Sequence, residues 1–138
     1  MRAIRRYQAL KKNGGLFADL RSKYWVLVYR FWSVVCVAEI DLTCDIGGGL
    51  LIPHPNGIVI RPKAVIGPNC LLFQQVTIGT IDGKFPKIGG RVDIGVGAKI
   101  LGDVTLGDHC RVGANAVVLK DVKAGDTVVG IPAKPVRK

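Results

Sequence analysis

Aliphatic residues recur at every sixth position along most of this chain. They stand at Ile40, Ile46 and Ile52; after a two-residue insertion, at Ile60, Ile66, Leu72 and Ile78; after a four-residue insertion, at Ile88, Ile94, Ile100, Leu106, Val112 and Val118. Four places after the aliphatic the residue is usually small or branched, as at Cys44, Ala64, Cys70, Val92, Ala98, Cys110, Ala116 and Val122, and the place just after it is often Gly. An amphipathic helix repeats its apolar positions about every 3.6 residues and a half-buried strand about every 2, so neither gives a period of six. A short strand followed by a turn does. The aliphatic points inward, Gly tolerates the backbone the turn needs, three units close a triangular coil, and stacked coils share a continuous core. Thirteen units obey the pattern, which predicts an all-β chain folded as a parallel β-helix of hexapeptide repeats.

Composition agrees with such a core. Aromatics make up only 7% of 138 residues, so the interior must be built from small aliphatics. The length suits one domain, divided as a basic N-terminal arm and helical cap (1–38), the β-helix (39–126) and a C-terminal tail (127–138). Residues 16–35 read as a helix followed by, or running into, an apolar segment, whose task is to cover the first coil, since an open β-helix end invites aggregation. The net charge of +10 is uneven: residues 1–35 hold eight Lys or Arg against Asp19 alone, and the remaining 103 hold twelve against nine. The body is therefore not expected to bind nucleic acid. The basic arm has the charge for a weak peripheral membrane contact or an acidic partner, with a solvated arm as the plainer reading. Tyr24–Val37 is apolar but interrupted by Arg30 and falls short of the ~20 residues of a membrane span. No long apolar run follows the basic start, and the four Cys form neither CxxC pairs nor a disulfide framework. A cytoplasmic protein is expected. Cys44, Cys70 and Cys110 fall on the small inward position, where a thiol serves as a compact hydrophobe.

Two histidines exist, and the period separates them. His109 sits on the outward turn of a regular unit and reads as surface. His54 stands in IPHPNG, where the regularity breaks, and departures from local consistency tend to mark function. Glu39 lies fifteen residues earlier, close to one coil, so the two side chains can meet at one corner of the prism.

From Glu39 onward the chain resembles the catalytic domain of serine acetyltransferases and the related short polysaccharide O-acetyltransferases. The matching stretches are IPHPNGIVI, QQVTIG, IGVGAKILGDVTLG, VGANAVVLKDV and VVGIPAKPV, about 100 residues in all. The resemblance implies a left-handed coil, a homotrimer with sites in the clefts between prisms, and an enzyme that passes acetyl from acetyl-CoA to a hydroxyl. A hydroxyl must lose its proton as it attacks the thioester, and imidazole, with a reference pKa of ~6.5, is suited to take it. His54 occupies the place of the family's base. Glu39 aligns with the carboxylate that orients it, an Asp in serine acetyltransferases. Gly79, Thr80, Val96, Gly97 and Ala114 match the stretches that contact the coenzyme; of the glycines, only Gly97 lies outside the recurring Gly position. Lys134 and Arg137 are placed to meet its phosphates.

Two departures bear on the acceptor. The Asp that precedes the base in serine acetyltransferases, and helps hold the amino acid, is Pro53 here. The second His, which contacts serine, is replaced by Phe85, with Lys84 for the Arg beside it. The surrounding loop is shorter, and the long N-terminal helical domain of that family is not expected here. L-Serine and a sugar hydroxyl both remain as acceptors, the sugar slightly preferred. A non-enzymatic β-helix scaffold is the alternative, against which the retained His54 argues. A metal-dependent relative such as a hexapeptide carbonic anhydrase would need about three His ligands, so no metal is expected.

Overall fold

The computed structural model describes residues 1–13 and 15–136. Two helices, α1 (Arg2–Asn13) and α2 (Leu16–Cys36), precede a stack of coils. The first coil holds β1 (Glu39–Ile40), β2 (Asp45–Ile46) and a bridge at Leu51. The second holds β3 (Val59–Ile60), β4 (Val65–Ile66) and β5 (Leu71–Leu72); the third, β6 (Thr77–Gly79), β7 (Lys87–Ile88) and β8 (Asp93–Ile94). The fourth holds β9 (Lys99–Leu101), β10 (Thr105–Leu106) and β11 (Arg111–Val112). The last holds β12 (Val117–Val118), a bridge at Val122 and β13 (Thr127–Val129), with β14 (Lys134–Pro135) folded back antiparallel on β13.

Stacking makes three parallel faces. The first is β1-β3-β6-β9-β12, the second β2-β4-β7-β10, and the third β5-β8-β11-β13. This is the left-handed hexapeptide β-helix expected from the period and the resemblance, with a two-helix cap. Where no residues are inserted the register advances by eighteen, as from Lys99 to Val117. The two insertions stretch the step to twenty (Glu39 to Val59) and twenty-two (Val65 to Lys87), and all the extra residues fall at corners. Near the end the step shortens to sixteen, from Arg111 to Thr127. Val122 consequently takes the strand position opposite Leu106 rather than the small position assigned from Val118, because the corner before it has lost two residues.

The periodic aliphatics form the core: Ile60, Ile66, Leu72, Ile78, Ile94, Ile100 and Leu106 are all essentially inaccessible. Each such side chain contributes on the order of 1.5–3 kcal/mol relative to exposure. Cys44, Cys70 and Cys110 are fully buried at the small position. Burial pushes the thiols of Cys44 and Cys110 up to about 11 and raises that of Cys70.

The recurring glycines have a different cause from the one expected. Gly47, Gly67, Gly95 and Gly113 show no positive φ; the left-handed turn residue lies two places later and is Asn69, Gln75, Arg91, His109 or Asn115 in several coils. What excludes a side chain at the recurring position is the next coil. A β-carbon on Gly47 would lie 2.7 Å from the Pro68 nitrogen, and one on Gly95 2.8 Å from the Ala114 nitrogen.

The basic N-terminal segment is also more than a solvated arm. It is helix α1, and it closes the first coil: Ile4 is buried against the core, Gln8 Nε2 donates to the carbonyls of Leu42 (3.0 Å) and Cys44 (2.8 Å), and Arg5 donates to Gly47 (3.2 Å). Carbonyls that would otherwise edge an open coil are thereby satisfied.

Candidate active site

Each coil turns three corners. At the returning corner the chain passes from the third face back to the first; at the leading corner it passes from the first to the second. The returning corner of the first coil carries the two-residue insertion, and there Pro53 and His54 are exposed. The turn is anchored on both sides: Gly57 N–H donates to Val37 O (2.7 Å) and Gln75 N–H to Asn56 O (2.9 Å). Backbone bonds continue up the same corner, from Gly97 N–H to Gln74 O (3.0 Å) and from Asn115 N–H to Val96 O (2.8 Å). At the far end, Gly130 and Ala133 bond to Val117 at 3.1 and 2.8 Å, which brings the tail and exposed Lys134 over the same edge. His54, Val96, Gly97, Ala114 and Lys134 are thus aligned along one edge. Arg137 lies outside the described residues.

The remaining predicted residues lie elsewhere. Gly79 ends β6 and Thr80 follows it at the leading corner, where the four-residue insertion opens, its tip a tight turn at Asp82 and Gly83, both with positive φ. Lys84 pairs with Asp103 at 3.4 Å, and the Lys63 ammonium sits over the Phe85 ring, 5.5 Å from its centroid. Lys84 and Phe85 are therefore at the opposite end of the first face from His54, and one chain does not bring them together.

Glu39 stands on the first face beside Val59, with its carboxylate 3.6 Å from Arg61. Among the described residues no ion pair joins it to His54. Both partners of the Glu39–Arg61 contact are more than half exposed, and such pairs contribute about 0–1 kcal/mol, so the carboxylate is free to turn elsewhere at little cost.

The edge carries groups suited to a long polar ligand. Gln74, Val96 and Ala114 are stacked at equivalent turn positions, and among the described residues none gives its amide N–H to a backbone carbonyl. That pattern is general at the turns; what distinguishes this corner is Gln74, whose Oε1 is buried without a hydrogen-bond partner. Buried polar atoms are rarely left so. In the sequence alone, nothing in QQVTIG marks Gln74 for a role. Gly97, by contrast, has φ +70 and occupies the ordinary left-handed turn position, where a β-carbon would also run into the Asn115 side chain. His109 is exposed in that turn position on another corner, as expected of a surface residue. Among the described residues no group of three or more His, Cys, Asp or Glu could hold a metal ion. An apolar cavity of about 520 Å³ lies between α2 and the first coil, with Trp25, Tyr29, Ile40, Ile52 and Pro55 among its walls; His54 does not line it.

Residues 85–120 match the family model described as bacterial transferase hexapeptide (six repeats). The chain is 45% identical over 105 residues to a serine acetyltransferase of Helicobacter pylori strain J99, an alignment covering 72% of this chain and 61% of that one. It superposes on the Neisseria gonorrhoeae serine acetyltransferase solved in complex with serine with a TM-score of 0.80 at 36% identity, covering 96% of this chain and 55% of that one. A serine acetyltransferase solved in complex with CoA gives a TM-score of 0.79 at 34% identity, covering 97% and 55%. The chain thus spans less than two thirds of each of these relatives.

Proposed function

The chain is homologous to the serine acetyltransferase-like acyltransferases of the hexapeptide-repeat class, and on that premise we propose that it transfers acetyl from acetyl-CoA to an acceptor hydroxyl, with His54 as general base. The observation that carries this reading is the exposed His54 at the foot of the edge that also holds Val96, Gly97, Ala114 and Lys134. The coenzyme would lie along that edge, its amide groups against the turn N–H groups of Val96 and Ala114 and the orphan oxygen of Gln74, its phosphates near Lys134. Acetyl-CoA supplies the activated thioester. His54 takes the proton of the attacking hydroxyl and returns it to the leaving thiolate. Glu39, released from its weak contact with Arg61, turns to orient the imidazole and stabilise its charged form.

We propose assembly as a homotrimer, which the same geometry supports. Gly79, Thr80, Lys84 and Phe85 sit on the leading corner, remote from His54 within one chain. Threefold packing would set the leading corner of one subunit against the returning corner of the next and complete the site.

The acceptor favoured is a sugar or another amine-free alcohol. Pro53 offers no carboxylate to the amine of serine, and Phe85, half-buried under Lys63, offers no hydrogen bond. Losing a polar partner for a charged group costs on the order of several kcal/mol. L-Serine is the competing reading, supported by the names of the relatives and by the serine complex. The test follows thiol release from acetyl-CoA across L-serine, homoserine, simple hexoses and acetamido sugars. Turnover of a sugar with L-serine inert supports the preference; efficient turnover of L-serine with sugars inert reverses it. No turnover of any acceptor, with no coenzyme binding by titration, would remove the enzymatic reading.

A further inference from the structure

The outer side of α2 is apolar and uncovered. Phe17, Leu20, Tyr24, Leu27, Phe31 and Val34 follow one another at alternating spacings of three and four, and they are 85, 68, 61, 68, 62 and 78% exposed. At about 100° per residue they fill one arc roughly 100° wide. An exposed stripe of this extent marks an interaction surface. Its margins carry charge of one sign: Lys23 and Arg30 along one side, Arg21 along the other. Beyond them α1 adds Arg2, Arg5, Arg6, Lys11 and Lys12, while the one acid in this region, Asp19, is already held by Lys11 at 2.9 Å.

Two occupants suit an apolar helix face, a second copy of the helix and a lipid surface. Self-pairing helices place complementary charges beside the seam. Here the flanks would set Arg21, Lys23 and Arg30 against one another with no free acid to answer them. Aromatic residues at every other seam position also suit the boundary between headgroups and acyl chains, where amphipathic rings with basic neighbours settle. Among the described residues no helix is long and apolar enough to cross a membrane, so the helix would lie in the plane of the surface.

We propose that α2 docks the protein peripherally on an anionic lipid surface, inserting the Phe17–Val34 stripe while the flanking basic residues meet the headgroups. This docking is independent of the proposed chemistry. Each Lys or Arg near an anionic surface strengthens binding about fivefold, so removing three should weaken it about a hundredfold.

The experiment is co-sedimentation of the full chain with phosphatidylcholine vesicles, with and without about one third phosphatidylserine, at low and high salt. The expected result is binding to the anionic vesicles alone, weakened by salt. The Arg21→Gln, Lys23→Gln, Arg30→Gln triple variant should bind about a hundredfold less tightly. Leu20→Ser with Leu27→Ser should abolish binding without changing the helical circular dichroism, because both side chains are exposed. Failure to bind either vesicle, or equal binding to both, overturns the proposal. So does a fall in the mass measured by light scattering on introducing the two Ser substitutions, which would assign the stripe to contacts between copies of the chain.

Discussion

Replacing Gly67 by Ala tests why the repeat demands glycine after its aliphatic. Gly67 has an ordinary φ, so the new methyl group imposes no conformational strain of its own. Its β-carbon would lie 2.5 Å from both the carbonyl carbon and oxygen of Gly89 and 2.6 Å from the Gly90 nitrogen. These are backbone atoms, and no side-chain rotation relieves them. The coils must part, lengthening the 2.8 Å bond from Gly67 N–H to Ile88 O. Overpacking of this kind costs about 1–3 kcal/mol, and reduced freedom of the unfolded chain returns about 0.4–1 kcal/mol. The net expectation is a loss of about 1–2 kcal/mol. Gly48, on the same corner one coil earlier, is the control: a β-carbon there meets nothing within 4 Å and φ is not positive. Gly48→Ala should be neutral or stabilising by about 0.4–1 kcal/mol. With a urea m-value of about 2 kcal/mol/M, the midpoints of the two variants should differ by about 1 M. Circular dichroism at one fixed protein concentration measures this, since association would otherwise shift the transition. Equal midpoints would refute the close-approach account and return the glycines to a conformational role.

His54→Ala should lower acetyl transfer by about 10²–10⁴-fold with coenzyme affinity, read by calorimetry, little changed; Glu39→Gln should be milder, and His109→Ala neutral. Equal effects of the two His variants would sink their separation by repeat register. Sedimentation should give a trimer, and a stable monomer at micromolar concentration would contradict the shared site. Thiols raised to about 11 at Cys44 and Cys110 stay protonated at pH 8, so iodoacetamide should label those positions only after denaturation, as mass spectrometry would register.

The coil architecture was legible because a period of six has few structural solutions, and because the inward aliphatics and buried cysteines record it residue by residue. The corners were less so. Nothing in the local sequence distinguishes a glycine at a positive-φ turn position, such as Gly97, from one required by a neighbouring coil, such as Gly67, until the register is known. Arg61 illustrates the same limit: it meets Glu39 across a coil whose register step, Glu39 to Val59, is lengthened by an insertion whose placement decides the pairing. Lys63 over Phe85 is likewise a contact between coils. Helix α1 resembles a plain basic arm in sequence because its basic surface masks the few groups that matter, Ile4 and Gln8, which plug and bond the open coil.

The insertions and the late deletion change the number of residues per coil, yet all three faces stay paired through them. Length variation in this chain is therefore decoupled from the scaffold. A corner can gain or lose residues while the three faces stay paired, so a lineage can alter the exposed residues 81–84 without renegotiating the interior. Grafts should exploit the same freedom. A foreign segment placed at that corner has its ends already fixed by β6 and β7, and inherits a rigid mount whose stability it does little to supply.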